Sequence, residues 1–249
     1  MDNGKNFQNS QIIILGICIA VATIVASVIL SQGALKIMKF TKENIAVTGS
    51  AQKEIRSDYI VWDSAFSRRE IDLPTAYKKL NEDLEKVKVY FASQKVDEKE
   101  MIISQIATSV LYEKNKEGKD TNKVEGYLLS QGIEVRSNDV DKITAVSRAS
   151  TELINQNIEF VSAAPQYFYT NLDELKIEML AKATDNAKKR AESMVKSTGN
   201  HIGLMRSAKM GVFQITPVTS TDISDYGEND TSSLAKKVMA VVSVSFAIE

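Results

Sequence analysis

The nineteen residues IIILGICIAVATIVASVIL, from Ile12 to Leu30, decide the architecture of this chain. None of them is charged, and the most polar are Thr23 and Ser27, whose hydroxyl groups can bond back to carbonyls of their own helix. At about 1.5 Å of rise per residue, the run spans roughly 28 Å as a helix, close to the hydrocarbon thickness of a bilayer. We therefore predict a membrane anchor over residues 12–34, preceded by a short N-terminal tail over residues 1–11.

A cleaved secretory signal is the main alternative interpretation of this run. Such a signal has a basic start, an apolar region of about 7–15 residues and small residues before the cut. Lys5 supplies the basic start, and Ser31 and Gly33 supply small residues, but the apolar run is long for a signal. Cys18 follows Ile17, where a lipoprotein signal needs a small residue, so we interpret Cys18 as a small apolar residue. A retained anchor is the favoured interpretation.

The orientation of the anchor rests on two conflicting signals. Lys36, Lys39 and Lys42 follow the run, against Lys5 before it, and the positive-inside rule alone then places the C-terminal body in the cytoplasm. The N-terminal tail is short, however, and the family that the body resembles, described below, is usually exported. We predict a single-pass protein of the cell membrane whose C-terminal domain is periplasmic or extracellular, with membrane contact through residues 12–30.

Composition restricts the chemistry of the body, residues 43–249. The chain has 31 lysines and arginines against 32 aspartates and glutamates, so no overall positive field favours nucleic acid, and we predict no nucleic-acid partner. Cys18 is the only cysteine, so the body can form no internal disulfide and no thiolate metal site. His201 is the only histidine.

The hydrophobic pattern of the body predicts an α+β fold, with an antiparallel or mixed sheet and packed helices. From Tyr59 to Tyr169 the order is strand, helix, strand, strand, helix, strand, which is that of a ferredoxin-like unit. Asp72 caps the first of these helices with Pro74 in its first turn, and Asn138 or Asp139 caps the second. The apolar stripe of the first helix is predicted to be Tyr77, Leu80, Leu84, Val87 and Phe91.

A third helix follows and carries an alanine-rich stripe. Thr170 or Asn171 caps it, and Gly199 suits the left-handed position that ends it. Its predicted buried residues are Leu172, Leu175, Met179, Ala183, Ala187, Ala191 and Met194. Two polar segments are predicted to be solvated: residues 113–123 as a hairpin tip with Gly118 in the turn, and residues 216–233 as a long loop.

Four stretches of the body together resemble the SIMPL-domain family. They are Ile45-Ala-Val-Thr-Gly49, Ala181-Lys-Ala-Thr-Asp-Asn-Ala-Lys-Lys-Arg-Ala191, Gly199-Asn-His-Ile-Gly203 and Val238-Met-Ala-Val-Val-Ser-Val-Ser-Phe246. They are similar to the family's opening strand, penultimate helix, helix end with next strand, and closing strand. One departure is Ser57-Asp58, where the family often has Pro-Asp. The resemblance implies an exported, oligomer-prone α+β protein of the bacterial envelope, and it brings no active site.

The residues themselves point to no catalytic, cofactor-binding or metal-binding site, and we predict none. His201 lies just past a helix-ending glycine, where a Ser-His-Asp relay is not expected. Four carboxylates of one loop, Asp222, Asp225, Glu228 and Asp230, match no ordered calcium loop. Arg68, Arg69 and Glu70 form a small charged patch at a strand end, and Tyr167, Phe168 and Tyr169 are expected to pack in the sheet.

The favoured function is therefore binding and self-assembly at the cell envelope, with a role in the envelope or in a stress response. The alternatives are a hydrolase-type enzyme with a carboxylate site that spacing does not reveal, and a sensory module. A homo-oligomer is predicted on two grounds. The closing strand, residues 238–248, has few of the residues that protect a free sheet edge, and the stripe Ala183, Ala187, Ala191 offers a surface for close packing.

Overall fold

One long helix precedes a body of strands and helices. The computed structural model describes residues 3–249, with side chains described at 14–38 and 43–249. Residues 1–2 of the predicted tail lie outside the described residues. The side chains of residues 3–13 and 39–42 also lie outside them, including those of Lys5, Lys39 and Lys42, on which the lysine count rests.

The described chain contains four α-helices and eleven strands, which confirms the α+β prediction. The helices are α1 (Asn3–Lys42), α2 (Leu73–Ser93), α3 (Val140–Ala149) and α4 (Leu172–Lys196). The strands are β1 (Asn44–Arg56), β2 (Tyr59–Glu70), β3 (Met101–Ile103), β4 (Ala107–Lys114), β5 (Asp120–Ser137), β6 (Glu159–Ser162), β7 (Gln166–Phe168), β8 (Ile202–Met210), β9 (Gln214–Pro217), β10 (Glu228–Asn229) and β11 (Ala235–Ile248). Short 3₁₀ helices cover Glu98–Glu100 and Ser150–Gln156.

Contacts divide the chain into two units, and β1, α4 and β11 each contribute to both. The anchor unit consists of Met1–Ser50, Ala181–Gly211 and Val241–Glu249. The ferredoxin-like unit consists of Ala51–Leu180 and Val212–Ala240.

In the ferredoxin-like unit, β2 lies at the centre of an antiparallel sheet. The strand order is β3-β5-β2-β6, with β4 also pairing with β5 and β7 with β2. If β3 with β4, and β6 with β7, are each taken as one interrupted strand, this is the order expected of a split βαβ repeat. The predicted ferredoxin-like order is therefore confirmed, and α2 and α3 both contact this sheet.

The core of this unit forms where α2 and α3 cover the sheet. Trp62 and Phe66 of β2 are buried with Leu80 and Phe91 of α2, and the rings of Trp62 and Phe91 meet edge to face at 5.5 Å. The predicted stripe of α2 is wrong at Tyr77, which is 53% exposed, because its neighbour Ala76 takes the buried position. The buried stripe of α2 therefore includes Ala76, the residue before Tyr77.

Side-chain caps fix where the first two helices of this unit begin. Asp72 accepts a hydrogen bond from the backbone N–H of Thr75, with Pro74 in the first turn as predicted. Asp139 accepts a hydrogen bond from the backbone N–H of Lys142 and caps α3. The helix α3 ends at Ala149, and a 3₁₀ segment continues to Gln156.

In the anchor unit, α4 packs against β1 without intervening side chains. A Cβ built on Gly49 of β1 lies 2.2 Å from the carbonyl oxygen of Ala183 and 2.4 Å from the backbone nitrogen of Ala187. Asn186 accepts a hydrogen bond from the N–H of Ser50, and Arg190 donates one to the carbonyl of Thr48. The small residues of α4 thus allow backbone-to-backbone approach.

The structure corrects both grounds given above for a homo-oligomer. The closing strand β11 is an interior strand, because β1, β8 and β9 are all its neighbours. The alanines of the stripe are fully buried by contacts within the chain. The stripe extends to Val195, which is buried, whereas the predicted Met194 is exposed.

The polar segment 216–233 contains short regular structure that the sequence did not reveal. The strand β10 pairs in parallel with β9, Glu228 opposite Gln214 and Asn229 opposite Ile215. The amide of Gln214 also donates a hydrogen bond to the carbonyl of Ser224. Between β4 and β5 the other polar segment is the predicted hairpin tip, with Gly118 at a φ of +79°.

Candidate functional site

The predicted charged patch of β2 is neutralised residue by residue. Arg68 donates two hydrogen bonds to the buried carboxylate of Asp83 on α2, at 2.6 and 2.7 Å. Arg69 pairs with Glu125, and Glu70 accepts from Lys79. Each charge has a partner, so the patch presents ion pairs and gives no basic surface to a ligand. The Arg68–Asp83 pair fastens α2 to the sheet.

The structure does not gather the histidine and the four carboxylates of the acidic loop into a metal site. The backbone of His201 exchanges two hydrogen bonds of 2.8 Å with Glu249. Asp222 accepts from the Ser220 hydroxyl at the loop, whereas Glu228 lies in β10. Across the described residues, no three side chains of His, Cys, Asp or Glu lie close enough to share a metal ion.

A buried lysine, Lys236, is the most unusual charged group of the ferredoxin-like unit. It lies near the start of β11 and is 3% exposed. Its Nζ donates to the carbonyl oxygen of Tyr167 at 2.6 Å and to that of Asp230 at 2.5 Å. Three separate segments, β7, the loop after β10 and β11, therefore meet at one ammonium group.

Burial and the nearby negative charge shift the pKa of Lys236 in opposite directions. Burial lowers the pKa of the Lys236 ammonium below its ordinary value of 10.5, and the nearby negative charge of Asp230 partly opposes the shift. Burial by itself would raise the pKa of Asp230, but hydrogen bonds from Ser232 and Ser233 outweigh it, so the pKa of Asp230 is lowered. Two opposite charges thus share a partly dry site.

The space beside Lys236 is too small for a substrate. The three consecutive aromatic residues Tyr167–Tyr169, together with Ile55, Leu172, Ile215 and Asn229, enclose about 70 Å³. Small-molecule sites in proteins typically enclose about 300–1,000 Å³, so this cavity is several times smaller than such a site. The ammonium group of Lys236 also donates hydrogen bonds to two backbone carbonyls. The arrangement therefore suits stabilisation of the fold better than nucleophilic chemistry. Tyr167 packs in the core, as predicted for this aromatic run.

Sequence reasoning missed Lys236, although β11 carries a signal for it. Side chains of a strand alternate between faces, and the buried residues of β11 include Val238, Ala240, Val242 and Val244. Lys236 falls in the same phase, two residues before Val238. A lysine in phase with an apolar face is a candidate for a buried cation.

The strand β8 presents the largest exposed apolar side chains of the sheet in the anchor unit. Among the described strands it pairs with β11 alone, so its other edge is open. Leu204, Met205 and Met210 are exposed, Leu204 by 74% and Met210 by 58%. Register shifts interrupt the pairing of β8 opposite Phe246, and the regular part runs from Ser207 to Met210. Exposed apolar residues at a free edge are typical of a contact surface.

The class of protein is thus an α+β domain with an N-terminal apolar helix, and a family comparison names it. The family model described as SIMPL, protein of unknown function (DUF541), matches residues 45–246. The chain belongs to the SIMPL family, which confirms the resemblance. A search of curated proteins finds no match.

Two similar solved structures come from Listeria innocua. One is described as a hydrolase and the other as an uncharacterized conserved protein. Each is 8% identical to this chain and covers 80% of it, together with 91% of the hydrolase and 92% of the other protein. Their TM-scores are 0.21 and 0.22, so this likeness carries no argument about fold or activity.

Proposed function

We propose that this chain is a single-pass protein of the cell envelope whose C-terminal domain is exported and acts by binding and self-assembly, without catalysis of its own. The observation that carries the proposal is the combination of an apolar N-terminal helix with a SIMPL domain. We further propose a role in the envelope or in a stress response. The oligomer is proposed on new grounds, the open edge of β8.

The apolar helix supports attachment to a membrane. Residues Ile14–Met38 are long and apolar enough to cross a bilayer, a test that a signal sequence also passes. All the described side chains of α1 are exposed, and the apolar ones lie on every side of the helix. A helix that is apolar all round needs apolar surroundings, and a bilayer supplies them.

Membrane extraction tests the anchor. We expect the full chain to sediment with membranes, to stay there in high salt or carbonate, and to enter solution with detergent. A mature chain found in the soluble fraction and beginning near Ala34 would show that the segment is a cleaved signal.

Reporter fusions test the orientation. Alkaline phosphatase fused after Glu249 is expected to be active, and green fluorescent protein at the same point is expected to stay dark, because each reporter works on only one side of the membrane. Bright fluorescence with inactive phosphatase would place the body in the cytoplasm and support the lysine count.

Self-assembly is proposed to use β8. Its regular edge ends at Met210, and pairing of that edge with a second chain would cover Met210 and the free backbone groups beside it. A lysine at position 210 would place a charge in such a contact. Met210→Lys is therefore the test variant, and Val89→Lys, at an exposed residue of α2, is the matched control.

Cross-linking in intact membranes measures the assembly, with light scattering of the detergent-solubilised chain beside it. We expect oligomers for the wild type and for Val89→Lys, and mostly monomers for Met210→Lys. A wild type that is monomeric in both experiments, even at high concentration, would refute assembly. Oligomers that persist unchanged in Met210→Lys would show that the contact between chains does not use β8.

A further inference from the structure

Exposed methionines of the body are concentrated in the anchor unit. Met194 on α4 is 57% exposed, and Met205 and Met210, both on β8, are 47% and 58% exposed. By contrast, Met179 on α4 is fully buried. The strand β8 therefore presents two accessible methionines beside its open edge.

The pairing of β8 with β11 places both methionines of the strand on one face of the sheet. Met210 lies opposite Val242 and Met205 opposite Phe246, and residues directly opposite each other in an antiparallel pair point to the same side. An odd number of positions separates Met205 from Met210, which in a regular strand sends two side chains to opposite faces, but the register shift beside Phe246 corrects the phase. Val242 and Phe246 are buried. The two methionines thus form the open margin of a buried face.

In the body, sulfur chemistry is confined to methionine. Cys18 is the only cysteine of the chain and lies in the apolar helix, so no thiol of the body competes for an oxidant. A peroxide transfers one oxygen atom to a methionine sulfur: the O–O bond breaks, an S–O bond forms, the sulfur loses two electrons and water leaves. The product, methionine sulfoxide, is polar where methionine was apolar.

We propose that Met205 and Met210 form a reversible oxidation site that regulates the open edge of β8. As thioethers, both side chains are apolar and favour contact with a second chain. As sulfoxides, both carry an S=O acceptor that loses its water when the edge is covered, so the contact is weakened. A methionine sulfoxide reductase reverses the change with a dithiol as reductant: the oxygen leaves as water and the dithiol becomes a disulfide. The modification stands on the exposure of the two methionines, and its consequence rests on the proposed assembly through β8.

Peptide mapping by mass spectrometry tests the oxidation site. The full chain in mild detergent is treated with hydrogen peroxide, and trypsin then releases Met194, Met205 and Met210 in separate peptides, because a lysine or an arginine lies between each pair of them. We expect these three to oxidise at least roughly tenfold faster than Met179, since a buried sulfur reacts only when the fold opens locally. Oxidation of Met205 and Met210 no faster than that of Met179 would overturn the site.

Cross-linking of the full chain in membranes tests the regulation, with each oxidised sample compared with its own untreated portion. In the wild type we expect oxidation to weaken association about tenfold, which corresponds to about 1.4 kcal/mol. Reductases for both sulfoxide epimers, supplied with dithiothreitol, should restore the oligomers. Association that is unchanged in the fully oxidised wild type would overturn the regulation.

Leucine variants identify the methionines responsible. A protein with both Met205→Leu and Met210→Leu has no sulfur on β8 and a similar apolar volume there, so peroxide should no longer change its oligomeric fraction. Met194→Leu is the matched control, and its oligomers should be as sensitive to peroxide as those of the wild type. A double variant with wild-type sensitivity would contradict the assignment. Recovery of wild-type oligomers by the reductases makes the same test without any substitution.

The untreated wild type separates this inference from the proposed assembly. A wild type that is monomeric before oxidation refutes the assembly and with it the regulation, whereas the peptide map still decides the oxidation site. Oligomers that form before oxidation and persist after it leave the assembly intact and refute the regulation alone.

Discussion

Replacing Gly49 with alanine is expected to destabilise the anchor unit strongly, because β1 and α4 touch there through their backbones. The new methyl group would lie 2.2 Å from the carbonyl oxygen of Ala183 and 2.4 Å from the nitrogen of Ala187. A carbon normally approaches a carbonyl oxygen to about 3.3 Å, so the helix and the strand must separate by roughly 1 Å. Backbone atoms cannot rotate away as a side chain can.

The cost of this separation is expected at the upper end of the range for overpacking, about 3 kcal/mol. The hydrogen bonds from Ser50 to Asn186 and from Arg190 to Thr48 hold α4 in place on either side of Gly49 and resist the shift. For a domain of 150–250 residues, each kcal/mol lowers Tm by about 2–4 °C, so Gly49→Ala should melt roughly 6–12 °C below the wild type.

Thermal unfolding of the full chain in mild detergent, followed by circular dichroism, measures this effect. Gly203→Ala is the matched control, since the three atoms nearest to its new methyl group all belong to the flexible side chain of Glu249, which can turn away. The control should lose less than about 1 kcal/mol.

A second variant tests whether backbone contact is the cause. Ala187→Gly removes the methyl group of Ala187, which lies 2.7 Å from the new Cβ, but leaves the backbone atoms at 2.2 and 2.4 Å. The double variant should therefore be no more stable than Gly49→Ala. A change of 2 °C in Tm corresponds to about 1 kcal/mol or less. The reasoning is therefore wrong if Gly49→Ala melts within 2 °C of the wild type, or if Ala187→Gly restores the Tm of the Gly49→Ala protein.

Three further outcomes are expected. Lys236→Met leaves two buried carbonyls without a donor and should cost about 2 kcal/mol near neutral pH. The pKa of Lys236 is lowered in the folded protein, so between that pKa and about 10.5 the unfolded chain binds more protons and the stability of the wild type rises with pH. The difference in Tm between wild type and variant should therefore widen as pH increases through this window. A constant difference would contradict this. Asp83→Asn breaks the paired contact with Arg68 and should cost about 2–3 kcal/mol in urea unfolding, whereas Asp141→Asn, in an exposed ion pair, should cost less than about 1 kcal/mol; equal losses would refute the role of burial. Val21→Arg places a charge at mid-bilayer, at about 2.5–3.5 kcal/mol on insertion scales, and should lower the membrane-inserted fraction in a glycosylation-mapping assay, which unchanged insertion would disprove.

The ferredoxin-like unit could be predicted because its signals are local. Asp72 and Asp139 mark the helix starts within one turn, and the alternation of β2 and β5 marks strands within a few residues. The sheet order then follows from the few ways in which such a repeat can close. Tyr77 was assigned wrongly because two neighbouring residues fit the helical period almost equally, and tertiary packing chose Ala76.

The neighbours of β11 could not be predicted, since they depend on contacts distant in sequence. Val244 pairs with Ala208, and Val238 with Ile215, whereas β1 joins the same strand from the other end of the chain. Nothing local distinguishes an apolar strand at the centre of a sheet from one at its edge. The free edges therefore had to be located from the fold, and β8 carries one of them.

The surroundings of Lys236 show the same limit more sharply. Its ammonium group is held by the carbonyl of Tyr167, 69 residues away in the sequence, and by the carbonyl of Asp230, and no motif marks this arrangement. At the other end of the body, a single residue, Glu43, separates the apolar helix, which ends at Lys42, from β1, which begins at Asn44. That short connection leaves little freedom between anchor and strand, and a membrane-held domain has a raised local concentration of its own copies. Under the membrane attachment that we propose, a weak contact at the open edge of β8 would then be sufficient for the proposed assembly, because every copy is held at the same surface.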